Sequence, residues 1–125
     1  KLLGVAMAKI DNKLLTYQKM VNLIYYSKNL LKKYPKSERF DLCSDIKNIL
    51  YNTLRNIIFA WKEYKTENKL KYLRTVDVEL IVLKSLITIS YKYQYITQKN
   101  YMVWSEHVSE IGKLIGGWIK SCQKE

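Results

Sequence analysis

Glycine and proline are scarce in this chain, at four and one among 125 residues. Small β-barrels and turn-rich sandwiches need frequent positive φ angles or proline-set corners, so this scarcity excludes them and favours helices. Histidine occurs once, at His107, and the two cysteines, Cys43 and Cys122, lie far apart without partners at metal-ligand spacing. Neither a disulfide-dense scaffold nor a cysteine-based zinc site is suggested, and a reducing compartment is the simpler reading. Long apolar runs are missing too. Leu80–Ile89 is broken by Lys84 and falls well short of the roughly 20 residues that cross a bilayer. The opening segment Lys1–Ala8 has a weak signal-like character, but Lys9 and Asp11 close it early. The expectation is a cytoplasmic protein with no membrane partner.

Acidic residues are outnumbered two to one. Twenty-two Lys and Arg against eleven Asp and Glu give a formal charge of +11, while 48% of the residues are hydrophobic. That hydrophobic share is too high for a disordered basic tail, so the charge must sit on a folded body. Through Lys62 the chain carries twelve basic and four acidic residues, net +8; beyond it ten basic and seven acidic residues leave +3.

Apolar residues recur at helical spacing along four stretches. The first runs over 13–33, with Leu14, Tyr17, Val21, Ile24 and Leu31 as its stripe and Leu15, Met20, Leu23 and Leu30 widening it. Pro35 ends it by restricting Tyr34, and Ser37 is the candidate cap of the second helix. The second, 38–64, carries Phe40, Cys43, Ile46, Leu50, Leu54, Ile57 and Trp61. The third, 69–94, carries Leu70, Leu73, Val76, Leu80, Leu83 and Ile87; its Val, Ile, Thr and Tyr content from 80 to 93 suits a strand as well, but the periodicity favours a helix. The fourth, 98–121, carries Val103, His107, Val108, Ile111, Leu114, Ile115 and Trp118, with Gly112, Gly116 and Gly117 set inside the pattern, where close helix packing is the first explanation and a bend or cap the second. Residues 1–125 read as one all-α domain, an up-down-up-down antiparallel four-helix bundle.

Catalytic chemistry has little to work with. His107 and Glu110 sit three apart, without the second His that a helical metal motif needs, and Cys43 lies on an inward face as a packed thiol. We expect no catalytic residues, no metal and no cofactor. Gly112, Gly116 and Gly117 do not make a phosphate loop, which needs a following Lys-Ser/Thr and a preceding strand. Lys47, Arg55 and Lys62 are eight and seven residues apart and form a basic stripe on the second helix; with Arg74 they are the candidate nucleic-acid-binding residues. Arg74 has an alternative partner in Asp77. Trp104, Trp118, Tyr101 and Tyr91 suit base stacking, core packing or subunit contacts, and Tyr25 and Tyr26 widen the first helix's apolar arc in a way that suits an oligomer.

At Tyr34-Pro35-Lys36-Ser37-Glu38-Arg39-Phe40 and at Glu110-Ile111-Gly112-Lys113-Leu114-Ile115-Gly116-Gly117-Trp118, the chain resembles the accessory variability protein of diversity-generating retroelements. That family lies within a wider group of four-helix-bundle or ribosomal-RNA intervening-sequence proteins. The wider group carries a Ser-Ile-Pro-Ala-Asn-Ile-Ala-Glu-Gly type segment in its second helix. Ile49 to Trp61 lacks it here, which favours the retroelement branch. The resemblance implies a homopentameric barrel that binds the retroelement reverse transcriptase and template RNA or DNA, supports mutagenic cDNA synthesis and retrohoming, and has no catalytic centre of its own. It also implies that Pro35, Arg39, Phe40, Gly112, Gly116, Gly117 and Trp118 act mainly as fold or interface determinants. The competing class is a structural or regulatory bundle of the intervening-sequence type acting through protein–protein contacts. A third, a small helical enzyme, would need His107, Glu110 or Cys43 to converge on a cofactor.

Overall fold

The computed structural model describes residues 12–124; the segment Lys1–Ala8 lies outside them. Four helices occupy nearly all of this span: α1, Asn12–Leu31; α2, Leu42–Lys62; α3, Thr66–Lys92; and α4, Gln98–Gln123. The β-branched stretch of α3 is helical throughout, and its hydroxyls bond back to carbonyls four residues earlier, Thr75 to Lys71, Ser85 to Ile81 and Thr88 to Lys84.

Each helix packs on two neighbours, α1 on α2 and α4, α3 on α2 and α4, with no close backbone approach across either diagonal among the described residues. Side chains fix the antiparallel sense. From α1 to α4, Lys13 stands over Trp118, Lys19 pairs with Glu110 and Ser27 meets Trp104, so one number rises as the other falls. The same holds between α1 and α2, where Tyr17 meets Trp61 and Lys28 lies over Tyr51, and between α3 and α4, where Lys84 reaches Ser109 and Tyr91 stacks on Tyr101. The result is an up-down-up-down four-helix bundle. One end holds the α1–α2 and α3–α4 connections, and the other holds the α2–α3 turn.

The core lies along the bundle axis and is built from Met20, Leu23, Ile46, Leu50, Ile57, Leu73, Val76, Leu83, Ile87, Trp104, Ile111 and Ile115, all fully buried. On α1 the inward face is Thr16, Met20, Leu23, Ser27, Leu30 and Leu31. This corrects the expected stripe: Leu14 and Val21 face outward, and two polar residues take their place. Thr16 bonds the Asn12 carbonyl, and Ser27 bonds the Leu23 carbonyl while accepting the Trp104 indole N–H at 2.8 Å, so neither hydroxyl is left unsatisfied.

The α1–α2 connection also differs from expectation. Residues 38–41 are not part of α2. Lys36–Glu38 form a 3₁₀ turn after Pro35, and α2 begins at Leu42, which turns inward in place of Phe40. Ser37 is exposed and does not cap; the Glu38 carboxylate accepts the Leu42 N–H at 3.4 Å and the Tyr95 hydroxyl at 2.8 Å. One carboxylate therefore ties the α1–α2 connection to the α3–α4 connection. At the opposite end Glu63 does similar work, accepting the Tyr64 and Lys65 N–H groups, and α3 starts at Thr66.

The α3–α4 connection closes α3 with two backbone bonds, Gln94 N–H to the Tyr91 carbonyl and Tyr95 N–H to the Ser90 carbonyl, with Gln94 left-handed at φ 63°. This is the Schellman arrangement, in which glycine is the favoured residue. Gln94→Gly should therefore raise stability by about 0.5–1 kcal/mol by removing the left-handed penalty of a side chain. Chemical denaturation of the two proteins checks it, and a lower midpoint for the glycine variant counts against this reading of the turn.

Candidate functional site

Chemistry-bearing groups are dispersed. His107 meets the Tyr26 ring at a tilt of 40°, with ring centroids 5.2 Å apart, while Glu110 turns to Lys19, 3.2 Å away, so the His107–Glu110 pair does not form. The Cys43 thiol is buried between α1 and α2 and points to the Leu31 carbonyl at 3.9 Å; burial pushes its pKa up, against the lowering effect of Lys47. Among the described residues no group of His, Cys, Asp and Glu could hold a metal ion, and no helix is long and apolar enough to cross a membrane.

The basic residues are organised better than this. Lys47, on the second turn of α2, lies at the end of the bundle that holds the α1–α2 connection. Lys62 closes α2 at the other end, fifteen residues or about 22 Å along the axis. Arg55 lies between them, exposed, and donates to Asn52 Oδ1 at 3.0 Å. Lys62 stands over Trp61 and borders the shallow hollow of the α2–α3 turn with Lys65. Arg74 is exposed on α3 beside Lys71 and Glu67. It makes no ion pair with Asp77; Lys19–Glu110 is the one salt bridge among the described residues. The four candidates thus span the length of the bundle and do not converge.

A cluster not singled out from spacing does converge. Lys28 from α1, Lys32, Lys36 and Arg39 from the connection and Lys47 from α2 line one cleft of about 380 Å³, with Leu31, Tyr34, Pro35 and Cys43 also lining it. No carboxylate lines it. Glu38, the acid closest in sequence, has its oxygens engaged by Tyr95 and the start of α2. Cations from the end of α1 and the start of α2 meet here only because Pro35 and the 3₁₀ turn fold α2 back along α1. The usable signal was present in the Lys28, Lys32, Lys33, Lys36 and Arg39 run, read across the turn instead of along one helix.

Of the remaining motif residues, Pro35 sets the turn with φ −57°, and Trp118 is buried in the core with Lys13 above its ring. Arg39 is exposed and lines the cleft, and Phe40 is 89% exposed, so neither contributes to the core of the chain. At Gly112, Gly116 and Gly117 a Cβ would meet nothing within 4 Å, and α4 runs through them to Gln123 without a stop. Close packing within the chain is not their explanation, and neither is a cap.

The family model described as bAvd-like matches residues 14–122, which covers α2 and α3 in full, all but the ends of α1 and α4, and the basic cleft. The chain belongs to the bAvd-like family. No curated protein matches it. Among solved structures it is similar to a protein of unknown function from the S23 ribosomal protein family of Bacteroides thetaiotaomicron, with a TM-score of 0.80 and 19% sequence identity over 87% of this chain and 98% of that one. At that identity the likeness is one of fold. Membership of the family places the cleft and the glycine-bearing α4 within the matched span.

Proposed function

We propose that this member of the bAvd-like family is a basic, non-enzymatic accessory protein of a diversity-generating retroelement. It binds the element's reverse transcriptase and its template RNA or DNA, and so supports mutagenic cDNA synthesis and retrohoming, with polymerisation carried out by the partner. Family membership over residues 14–122 carries the reading. The formal +11 supports it physically, because each neutralised phosphate releases condensed counterions and long-range attraction steers the encounter without base-specific contacts. In this reading five copies form a barrel in the cytoplasm. The exposed apolar residues of α1 (Leu14, Val21, Tyr25) and of α3 (Val78, Ile81, Ile89) supply surface for contacts between copies.

The test is a salt titration of the purified protein on fluorescent template RNA and on DNA, with the reverse transcriptase as a co-purification target. Binding should weaken linearly in log–log form as salt rises, and the set Lys47→Glu, Arg55→Glu and Lys62→Glu should weaken it and flatten the slope. No affinity for either nucleic acid, together with capture of another protein, would establish instead a structural or regulatory bundle of the intervening-sequence type.

A further inference from the structure

We propose that the α1–α2 corner is a docking site for single-stranded nucleic acid, in which the cleft cations hold consecutive phosphates and Phe40 stacks on an unpaired base. This deepens the nucleic-acid reading above and rests on it. Three observations carry the assignment. First, five cations from three segments of chain line a single concavity without a carboxylate among them. Left without an anionic ligand, such a grouping is self-repelling, and helical solvation alone does not call for it. Second, the cations come from successive stretches of chain: Lys28 and Lys32 are one helical turn apart, at the end of α1 and just beyond it, and Lys36 and Arg39 in the connection and Lys47 on α2 follow. That layout suits a chain of phosphates better than one isolated anion. Third, Phe40 follows Arg39 directly and leaves 89% of its surface in water, the most exposed of the large hydrophobic side chains among the described residues.

A positively charged groove that tracks a backbone, bordered by an aromatic face, is the arrangement that binds single strands. A duplex keeps its bases stacked on each other and offers an exposed ring nothing to stack on.

The experiment is fluorescence anisotropy of the intact protein with a 12-nucleotide single-stranded RNA, its DNA counterpart and the corresponding blunt duplexes, each titrated with salt. Lys32→Glu/Lys36→Glu/Arg39→Glu should lower single-strand affinity at least tenfold and reduce the magnitude of the salt slope by about 2, from about 0.7 per lost phosphate contact. Phe40→Ala should lower it about tenfold with an unchanged slope, and Phe40→Tyr should restore it. The charge-matched set Lys113→Glu/Lys120→Glu/Lys124→Glu, on α4 and just beyond, should lose several-fold less than the cleft set. Equal losses from the two charge sets would overturn the cleft while leaving nucleic-acid binding intact; no binding by the unaltered protein would overturn the underlying reading itself. A Phe40→Ala protein that binds single strands normally but sediments as a smaller assembly would make Phe40 a subunit contact and end its role in stacking. Tighter binding to anionic phosphatidylserine vesicles than to any oligonucleotide would assign the corner to a membrane surface.

Discussion

Trp104→Ala is expected to destabilise the bundle by about 3–5 kcal/mol, which would leave a domain of this size at the margin of folding. Two effects combine at this residue. The side chain is the largest of those with no exposed surface, so truncation opens a cavity among close-packed helices. Its indole N–H also donates to Ser27 Oγ at 2.8 Å, and Ser27 in turn donates to the Leu23 carbonyl at 2.6 Å, so the ring is tied to α1 by a buried relay. Ser27→Ala isolates the second effect. It removes little volume but leaves the indole N–H buried without an acceptor, for an expected loss of about 1–3 kcal/mol. Trp104→Phe keeps most of the ring and removes the donor. In the Ser27→Ala/Trp104→Phe double variant no orphaned donor remains, so its loss should fall below the sum of the two single losses. Urea denaturation of the four proteins measures this, and strict additivity would mean that the relay contributes nothing.

The same relay explains why part of the fold was hard to read. The stripes on α3 and α4 were legible because nearly every inward position is Leu, Ile, Val or Trp, and Leu73, Val76, Leu80, Leu83 and Ile87 are all buried where their spacing put them. On α1 the inward positions include Thr16 and Ser27, while Leu14 and Val21 face out, so the expected stripe met the true inward face at Leu31 and in part at Ile24 but ran off it elsewhere. A serine that accepts a tryptophan N–H from 77 positions away looks like a surface residue when only its own helix is considered. The start of α2 was misplaced for a related reason: Phe40 continued the apolar spacing backwards, but the 3₁₀ turn hands the inward position to Leu42.

The candidate site shows the same limit. Helical spacing groups residues that share one helix, and it put Lys47, Arg55 and Lys62 on a common stripe. The five cations that share one cleft come instead from both helices and the turn between them. Such a site becomes visible once the direction of the turn is known, because proximity across a connection is a property of topology and not of period. Charge asymmetry was still a usable guide, since the cleft falls within the first 62 residues, where the net charge is +8.

Val21→Glu on α1 and Ile81→Glu on α3 should each break the proposed pentamer into single chains, lowering the mass in solution from about 75 kDa to the 14.9 kDa of one copy. Both residues face solvent in the protomer, at 39% and 63% exposure, so a carboxylate there leaves the core untouched and helicity by circular dichroism should persist. Between copies the same carboxylate would be buried against apolar surface, where an unpaired charge is strongly disfavoured. Because α1 and α3 lie across the diagonal of the bundle, their outer faces point in different directions. Rings are built by head-to-tail contacts between two different patches on each copy. If α1 of one copy meets α3 of the next, each single variant retains one sound patch. Mixing the Val21→Glu and Ile81→Glu proteins should then produce a species of about 30 kDa, in which the intact α1 face of the second meets the intact α3 face of the first, and nothing larger, because the two remaining patches are both blocked. Light scattering on a size-exclusion column distinguishes the outcomes. A mixture that stays at the mass of one chain would exclude the α1-to-α3 contact, and an unaltered assembly in both variants would place the subunit contacts on another face of the bundle.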